Sequence, residues 1–362
     1  MGVFVFARTS EALENTTHLY IRAMPTMWNP ARTWVFAVGV IAYPDGEHWP
    51  QEGRRDAALM EVLGQRGVPR AQMAFLTDEN ATLAIVMAKL VALLQRAAPG
   101  DTLLFYYTGH GDKDAQGVGH FALYDEAMSM PSLFTTIERH FRGSHALLFA
   151  DCCYSGSLAL DAIHRSGRVA YGVLTSSSAS LLSTGEWTFT NCVLKAFDGG
   201  LAVDEDRDGL VSFRELGRYA EREMAFGDGQ LSTFATTPAF DADLILAKGV
   251  KRTHPRIGEH VNACASDGEH YRARILGWRP GEFEVRFLDF EPEDDEWLSE
   301  GAVSMWVPDE FPPGTRVDVE DEEGEWHPAE VLAVRSGVHL IHYDDYEDIW
   351  DEWVDTSRMR AA

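Results

Sequence analysis

The sequence predicts an α/β protein in which helices cover both faces of a mostly parallel sheet, followed by two small all-β barrels. In the first two thirds of the chain, continuous apolar runs alternate with segments of helical periodicity. This is the pattern of buried parallel strands joined by crossover helices. In the last third, short strands with alternating apolar side chains are separated by Gly turns, which is typical of small β-barrels.

Length and composition favour a folded protein of several domains. The chain has 362 residues, of which 45% are hydrophobic and 11% aromatic, enough for a sizeable core. Its cysteines, Cys152, Cys153, Cys192 and Cys264, lack the spacing of zinc ligands or of a disulfide framework, so we expect a reducing, cytoplasmic setting. We expect no membrane partner, because no apolar run reaches the ~18 residues of a membrane span and the N-terminus does not resemble a signal peptide.

Negative charge is concentrated towards the C-terminus. The whole chain has a formal net charge of −26, and residues 249–362 alone hold 11 basic and 28 acidic side chains, a net charge of −17. Residues 1–248 carry the remaining −9. Phosphate backbones are repelled by such a surface, which argues against a nucleic-acid partner and favours a cationic protein segment.

Strands and helices alternate along the first domain. Residues 1–30 show no clean periodicity and are interpreted as an N-terminal arm, and the domain then spans residues 31–250. Apolar runs predict strands at 34–43, 71–76, 102–107, 121–124, 145–150 and 169–174. Helices are predicted at 56–65, from the Thr82 cap to the Pro99-Gly100 break, and at 129–141.

Chemically active residues follow two of these strands. The run 145–150 ends in Asp151-Cys152-Cys153, and the run 102–107 ends in Thr108-Gly109-His110-Gly111. Parallel strands bring their carboxyl ends to one sheet edge, where open α/β sheets bind ligands. A thiol needs a nearby base to become a good nucleophile at neutral pH. We therefore predict Cys153 as nucleophile and His110 as its base, with backbone N–H groups near Gly111 and Cys153 as an oxyanion hole.

These two motifs resemble a known family. Tyr106-Tyr107-Thr108-Gly109-His110-Gly111 and Asp151-Cys152-Cys153-Tyr154-Ser155-Gly156 resemble the paired signatures of the caspase/metacaspase clan, especially its bacterial members. The resemblance runs from about residue 34 to 248 and implies a caspase-like α/β/α sandwich around a six-stranded sheet, with its closing segment and last strand at 230–247. It implies a cysteine endopeptidase acting through His110 and Cys153. Cys152 then has a packing role, and Tyr154 stands where the family usually has His.

The resemblance also implies residues that choose the substrate. In metacaspase-like enzymes the acid two positions before the nucleophile, here Asp151, lines an acidic S1 pocket, and Thr108 matches a small hydroxyl residue before the Gly-His pair. A second acid carries over onto Asp56. Two carboxylates in a cleft favour Arg, then Lys, in the substrate. The sequence departs from the family pattern at Arg54 and Arg55, and an arginine turned inward would neutralise the pocket or select an acidic residue.

A calcium-binding pattern follows in the same domain. Residues 204–215 match D-x-D-x-D-G-x5-E, the EF-hand loop, throughout. The predicted ligands are the carboxylates of Asp204, Asp206, Asp208 and Glu215 and the backbone carbonyl of Leu210. The flanking helices are expected at 189–197 and 213–224. We therefore expect a structural or activating Ca²⁺, and calcium activates many metacaspases, which the resemblance makes relevant here.

An internal repeat occupies the C-terminal third. Eight residues recur 56 positions later without an insertion, so two copies of one module are predicted at 251–308 and 309–362. The pairs are Gly258/Gly314, Val261/Val317, Tyr271/His327, Ala273/Ala329, Phe287/Tyr343, Asp289/Asp345, Phe290/Tyr346 and Trp297/Trp353. The pattern resembles the Tudor/agenet group, and the second copy resembles its Tudor-knot or chromo-barrel subgroup.

Aromatic residues in the repeats are candidates for a binding cage. Small barrels also need aromatic side chains as core, and we expect half or more of these to be buried. The candidates are Trp326, Tyr343, Tyr346 and Trp350 in the second copy, and Tyr271, Phe287, Phe290 and Trp297 in the first. Such cages bind methylated Lys or Arg by cation–π attraction. We therefore expect the repeats to recruit a protein substrate or partner, or to shield the protease cleft.

Two classes of function remain open at this point. The favoured class is a calcium-responsive cysteine endopeptidase with a targeting tail. The alternative is a non-catalytic adaptor, in which the caspase-like fold is a scaffold and the barrels bind partner proteins. Self-processing is a related question, because Arg165 and Arg168 follow the nucleophile and are candidate cleavage sites.

Overall fold

The structure is a computed structural model that describes residues 26–44, 53–177, 187–308, 310–321, 324–347 and 350–362. Most of the expected N-terminal arm, residues 1–25, lies outside these ranges. Its described end is joined to the first domain: Trp28 is buried, and its backbone N–H donates to the carbonyl of Ile245 at 2.8 Å. Among the described residues, no helix combines the length and apolarity needed to cross a membrane.

The described part of residues 26–250 contains eleven strands and six helices. The strands are β1 Thr33–Gly39, β2 Met73–Thr77, β3 Thr102–Thr108, β4 Gly111–Lys113, β5 Gly119–Ala122, β6 Ala127–Ser129, β7 His145–Asp151, β8 Ala170–Thr175, β9 Leu210–Ser212, β10 Thr233–Thr236 and β11 Ile245–Lys248. The helices are α1 Arg55–Gln65, α2 Leu83–Leu94, α3 Met130–His140, α4 Gly156–Ile163, α5 Thr188–Asp198 and α6 Phe213–Gly227. The helices at the predicted EF-hand therefore lie within about three residues of their expected bounds.

Six of these strands form the central sheet, in the order β10-β8-β7-β3-β1-β2. Five run parallel, and only the edge strand β10 is antiparallel to its neighbour. One face packs in a hydrophobic cluster with α2, α3 and α4, and the other face with α1, α5 and α6. Central strands are buried on both sides because helices cover both faces. The predicted α/β/α sandwich around a six-stranded sheet is confirmed.

Two parts of this domain differ from the sequence-based expectation. The segment 230–247, expected to hold the last strand, contributes β10 to the sheet edge, but its final strand β11 pairs with β9 beside the acidic loop. A separate three-stranded sheet, β4-β5-β6, lies between β3 and α3. The strand predicted at 121–124 overlaps its middle strand β5, whereas β4 and β6 are only three residues long, too short to show a clear alternation of apolar side chains.

The C-terminal third folds into two five-stranded antiparallel sheets, and the predicted repeat is confirmed. The strands are β12 His260–Cys264, β13 His270–Arg279, β14 Glu282–Phe287, β15 Glu296–Ser299, β16 Val303–Met305, β17 Arg316–Glu320, β18 Trp326–Arg335, β19 Val338–Tyr343, β20 Glu352–Val354 and β21 Met359–Ala361. The orders β15-β14-β13-β12-β16 and β20-β19-β18-β17-β21 are equivalent. Even the register shift after Ile275 recurs 56 residues later, after Val331.

Both barrels contact helix α6 of the first domain. In the first barrel, His260 and Arg274 pair with Glu223, and the His260 ring stacks on Phe226 at a centroid distance of 3.9 Å. In the second barrel, Arg335 pairs with Glu221. One helix therefore links the acidic loop at its N-terminus to both C-terminal modules.

Candidate active site

The register of the central sheet aligns the two motifs. Strands β3 and β7 are parallel neighbours in which Thr108 pairs with Asp151. The backbone N–H of Gly109 continues the ladder by donating to the Asp151 carbonyl at 3.3 Å. His110 and Cys153 each lie two residues beyond this aligned pair, so both motifs leave the sheet side by side at its carboxyl edge.

Close packing joins the two loops beyond that edge. A Cβ atom added at Gly111 would overlap the carbonyl oxygen of Cys153 and lie 3.0 Å from the Sγ of Cys152. The glycine after the histidine therefore allows the two loops to touch, since any larger residue would push them apart. Both Cys153 and His110 are partly exposed, whereas Cys152 is buried.

Tyrosines hold the histidine loop in place. The His110 backbone N–H donates to Tyr43 Oη at 2.8 Å, and the two rings lie 4.7 Å apart. The His110 carbonyl accepts from Tyr107 Oη at 2.7 Å and from Ala122 N at 3.0 Å. Sequence reasoning did not identify Tyr43 as a site residue, although it closes the first apolar run, at the same sheet edge as the two motifs.

Buried hydroxyl groups support the cysteine turn from behind. Ser177 Oγ donates to the Cys152 carbonyl at 3.0 Å and accepts from Ser155 N at 3.1 Å. Ser176 Oγ accepts from Cys152 N at 3.1 Å. Burial raises the pKa of the Cys152 thiol well above its ordinary value, so this side chain stays neutral and is suited to packing. The two serines follow β8, in the Thr-Ser-Ser-Ser run at its carboxyl end.

The predicted substrate-pocket residues lie on the α1/α5 face of the sheet. Thr190 of α5 donates from Oγ1 to Asp151 Oδ2 at 2.6 Å, and its hydroxyl also bonds to Tyr106 Oη at 2.7 Å. Burial raises the pKa of Asp151, while the hydrogen bond from Thr190 opposes this shift. Thr108, paired with Asp151 in the register, lies beside it. The structure therefore brings Thr108 and Asp151 together.

Asp56 is fully buried and already has a cationic partner. Arg54 Nη2 lies 2.6 Å and Nε 3.0 Å from the Asp56 carboxylate oxygens, while Nη1 contacts Asp78 at 2.6 Å. A further bond joins Arg54 Nη2 to the Gly39 carbonyl at 2.9 Å. Arg55 is exposed. The inward arginine is thus Arg54, and it compensates the charge of Asp56. The sequence did not predict Asp78 as a second carboxylate partner of Arg54.

A cleft adjoins His110 on the opposite side of the sheet edge. Its volume is about 390 Å³, and it is lined by Tyr43, Pro44, His110, Tyr124, Asp125 and Glu126, together with Ala122, Leu123 and Ala127. Tyr43 and Leu123 belong to the hydrophobic cluster on the α2/α3/α4 face. The site therefore has two differently built sides, one around Asp151 and one beside the imidazole.

The predicted calcium ligands converge in part. Carboxylate oxygens of Asp204, Asp206 and Asp208 lie within 4.8 Å of one another. Asp204 Oδ1 is buried without a hydrogen-bond partner, as expected of an atom that would bind a cation. The Glu215 carboxylate accepts from the backbone N–H of Glu205 at 2.9 Å and of Ser212 at 2.8 Å.

These residues fit a calcium ion. Three converging carboxylates are the hard oxygen ligands that Ca²⁺ prefers, and Leu210 stands at the position whose backbone carbonyl is a ligand in the EF-hand pattern. Gly209, at φ 85°, supplies the left-handed turn that the loop requires. The strand beginning at Leu210 pairs with β11, so the loop is braced by the domain itself.

Aromatic triads occur in both barrels, but their members differ in part from those predicted. In the second barrel, His327 lies 5.9 Å from Tyr343 and 6.1 Å from Tyr346, and the two tyrosines are 6.0 Å apart. Trp326 instead lies under Arg360 at 4.0 Å, and Trp350 is 60% exposed. His327 was not predicted as a cage residue, although the 56-residue offset pairs it with Tyr271.

The first barrel has the equivalent triad. Tyr271, Phe287 and Phe290 lie 5.1–5.7 Å from one another. Trp297 contacts the Arg279 guanidinium at 4.3 Å. Each triad has an acidic neighbour: Tyr271 Oη donates to Asp267 at 2.9 Å, and Tyr343 Oη donates to Glu352 at 2.6 Å.

Comparisons with known proteins find one matching family model and several similar solved structures. Residues 311–361 match a family model, the Tudor-knot, described as an RNA binding activity-knot of a chromodomain, which confirms the predicted subgroup of the second copy. No curated protein matches the sequence. Among solved structures, the chain is similar to protein GSU0716 from Geobacter sulfurreducens, at 16% identity and a TM-score of 0.46 over 60% of this chain and 99% of that one. It is also similar to caspase-1 from Spodoptera frugiperda, at 13% identity and a TM-score of 0.43 over 68% of this chain and 100% of that one.

Proposed function

We propose that this chain is a cysteine endopeptidase of the caspase/metacaspase type. The observation that carries the proposal is the β3/β7 register, which aligns Thr108 with Asp151 and so brings the His110 and Cys153 loops out of the sheet together. The contact between Gly111 and the Cys153 backbone supports it. A thiol and an imidazole from two neighbouring loops are the minimum for nucleophilic catalysis by cysteine.

The reaction follows from these two groups. His110 takes the proton of the Cys153 thiol, and the sulfur attacks the scissile carbonyl carbon. Backbone N–H groups at Gly111 and Cys153 stabilise the oxyanion that forms. The C–N bond then breaks as His110 returns the proton to the leaving amine. Water, deprotonated by the same imidazole, hydrolyses the thioester and restores the thiol.

Hydrolysis of fluorogenic peptides tests the proposal directly. Cys153→Ala should abolish turnover, because it removes the nucleophile. Cys264→Ala removes a thiol from the first barrel and should leave turnover at the parent level. Equal turnover by Cys153→Ala and the parent protein would reject the peptidase and leave the alternative, a non-catalytic adaptor that binds partners through its barrels.

We further propose cleavage after Arg, with Lys second. Asp151, beside Thr108, supplies the carboxylate for a cationic substrate side chain, while Asp56 is compensated by Arg54. The competing specificity, cleavage after acidic residues through Arg54 or Arg55, has less support because Arg54 already binds two carboxylates. Profiling with Arg-, Lys- and Asp-ending peptides separates the two, and turnover of the Asp peptide alone would reject a basic preference.

Calcium is proposed to stabilise or activate the enzyme through the 204–215 loop. When bound, the ion supplies positive charge that balances Asp204, Asp206 and Asp208 and ties the loop to α6.

A ligand that binds only the folded state stabilises it by about 2.7 kcal/mol at 100 times its dissociation constant. The melting temperature should therefore rise on adding Ca²⁺ to chelated protein, and Asp206→Asn should reduce this rise. Exposed Asp243, changed to Asn, serves as the control. An unchanged melting temperature and activity after chelation would remove this role.

The tandem barrels are proposed to recruit a substrate or partner protein that carries a cationic side chain. The triads of aromatic rings beside carboxylates support this role. The description of the Tudor-knot family favours RNA as a second candidate for the second barrel, whereas the net charge of −17 on residues 249–362 opposes it. Titration of the whole protein with a trimethyl-lysine peptide and with single-stranded RNA separates them, and Tyr346→Ala should weaken binding of the true ligand. We propose that the whole protein acts in the cytoplasm, as its cysteine usage suggests.

A further inference from the structure

We propose that the cleft beside His110 binds the substrate on the C-terminal side of the scissile bond and selects a cationic side chain there. This inference rests on the proposed peptidase activity and adds a second specificity site to it. The Asp151 side of the sheet edge would bind the residue that donates the scissile carbonyl. The cleft lined by Tyr43, Tyr124 and Glu126 would bind the substrate residues after the scissile bond.

The direction of the substrate is set by the chemistry of the leaving group. The group that protonates the departing amine must come within about 2.6–3.2 Å of that nitrogen. In this chain that group is His110, so the nitrogen and the residues attached to it lie on the imidazole side of Cys153. Thr108 and Asp151 face the α1/α5 side, with Tyr106 and Thr190. The cleft on the other side, which His110 itself lines, is left for the leaving segment.

The lining of the cleft indicates which side chain it would take. Its volume of about 390 Å³ lies in the range of ordinary ligand pockets. Tyr43 and Tyr124 provide aromatic surface, while Asp125 and Glu126 are exposed at the rim. An aliphatic stem that ends in a positive charge suits such a lining, because the stem packs on the rings and the charge meets the carboxylates. Lys and Arg are the side chains with this build.

Asp125 is held in position to play this part. Its Oδ1 accepts from the backbone N–H of Leu83 at 2.7 Å and of Glu126 at 2.9 Å. These bonds fix the carboxylate at the tip of the β5–β6 turn, so little side-chain entropy is lost when a cation binds. An anchored acid beside an aromatic floor is therefore a preorganised site for a positive charge.

Internally quenched peptides that span the bond test the inference. They carry Arg before the bond and either Lys-Lys or Glu-Glu after it, and the ratio of their kcat/KM values is the readout. We expect the parent protein to prefer the Lys-Lys peptide by about 10-fold, as two charge-assisted contacts permit. Asp125→Asn with Glu126→Gln should bring the ratio close to one, because Asn retains the Oδ1 acceptor while losing the charge. Glu293→Gln with Asp294→Asn, an exposed acidic pair on the first barrel, is the matched control and should preserve the preference.

The outcomes separate this inference from the proposed function. A fluorogenic Arg peptide with nothing but the dye after the bond reports the peptidase alone. If the parent protein hydrolyses it but shows no Lys-Lys preference, or if the Asp125/Glu126 variant keeps that preference, the cleft is not a specificity site. If the parent protein hydrolyses neither the dye peptide nor the spanning peptides, the proposed function fails and this inference with it.

Discussion

Single residues decide how closely the His110 loop and the Cys153 loop approach each other. Gly111 is the clearest case, because its missing side chain is what lets the histidine loop touch the Cys153 backbone. Gly39 has a similar role on the other side of the site: a Cβ atom there would overlap Asp56 Oδ2 and lie 2.8 Å from Arg54 Nη2. Both glycines are needed for close approach, and neither has a side chain that could take part in the chemistry.

Replacing Gly111 tests the importance of this approach. Gly111→Ala should lower kcat/KM by about 100-fold, because a displacement of about 1 Å between nucleophile and base can cost that much. Gly64→Ala, on α1 where an added Cβ meets nothing within 4 Å, is the control. Fluorogenic turnover measures both variants, and near-parental activity of Gly111→Ala would contradict a role for loop contact.

We expect Arg54 to contribute mainly to the stability of the fold and less to the choice of substrate. Asp56 is 0% exposed, so Arg54→Met would leave a buried carboxylate without its cation. Breaking such a pair costs about 3–5 kcal/mol of unfolding free energy. Arg55→Met changes an exposed neighbour and should cost less than about 0.5 kcal/mol.

Urea unfolding measures the change in unfolding free energy for both variants. The double variant Arg54→Met with Asp56→Leu removes the charge as well as its partner, so it should recover most of the lost stability. If Arg54→Met proves as stable as the parent protein, Asp56 is not the buried ion that its surroundings indicate. The same variants, profiled with Arg peptides, report whether freeing Asp56 sharpens the basic preference.

At the scale of elements, helix α6 joins three functional parts. Its N-terminus carries Glu215 in a capping box with Ser212, at the end of the acidic loop. Two turns later, Glu223 binds His260 and Arg274 of the first barrel. Burial opposes ionisation of Glu223, but Arg274 and His260 outweigh it and lower its pKa to about 2. The contact between the domains is therefore a buried ionic one and sensitive to acid.

His260 makes this contact dependent on pH. Burial lowers the pKa of His260 below 6.5, and the neighbouring Glu223 only partly opposes the shift. The unfolded chain therefore binds a proton at this residue before the folded chain does, so stability is lost as the pH falls below about 6.5. His260→Gln keeps a donor for Glu223 but does not titrate.

Thermal unfolding between pH 7.5 and 5.5 tests this prediction. The melting temperature of the parent protein should fall more steeply on acidification than that of His260→Gln. Since the chain has 13 histidines, only the difference between the two proteins is informative about His260. Parallel curves would mean that His260 does not contribute to the acid sensitivity of the interface.

At the scale of the whole molecule, the dominant electrostatic feature is negative charge. The net charge of −26 attracts cationic peptides over about a Debye length, which shrinks from about 10 Å at 0.1 M salt to about 3 Å at 1 M. Both proposed specificity sites, one at Asp151 and one at Asp125 and Glu126, are acidic as well. Under the proposed specificity, a cationic substrate would be attracted at long range by the net charge and selected at short range by the two sites.

Ionic strength should therefore control turnover of charged substrates. We expect kcat/KM for a peptide with several lysines to fall by about 10-fold between 0.05 and 0.5 M salt. A peptide with a single Arg before the bond and neutral flanking residues should change much less. Steady-state kinetics with both peptides make the comparison, and equal salt dependence would show that steering plays no part.

The sequence by itself was sufficient for the order of the domains and most of the elements. Alternating apolar runs and helical segments predicted the parallel sheet, and a constant offset of 56 residues predicted two barrels. Their strand bounds repeat with that offset, except that β20 ends one residue before the equivalent of β15. Such features are readable because burial on one or both faces leaves a periodic mark within a short segment. The same holds for the acidic loop, whose candidate ligands are all within twelve residues.

Only the tertiary structure decided which side chains meet around the site. Tyr43 reaches His110 across 67 residues, Arg54 binds Asp78 across 24, and Thr190 reaches Asp151 across 39. Likewise, His327 rather than a tryptophan completes the second aromatic triad. These partners leave no local periodic signal, because each depends on how distant segments pack. For that reason the residue types needed for the proposed chemistry could be predicted from the sequence, while their charge balance and their surroundings could not.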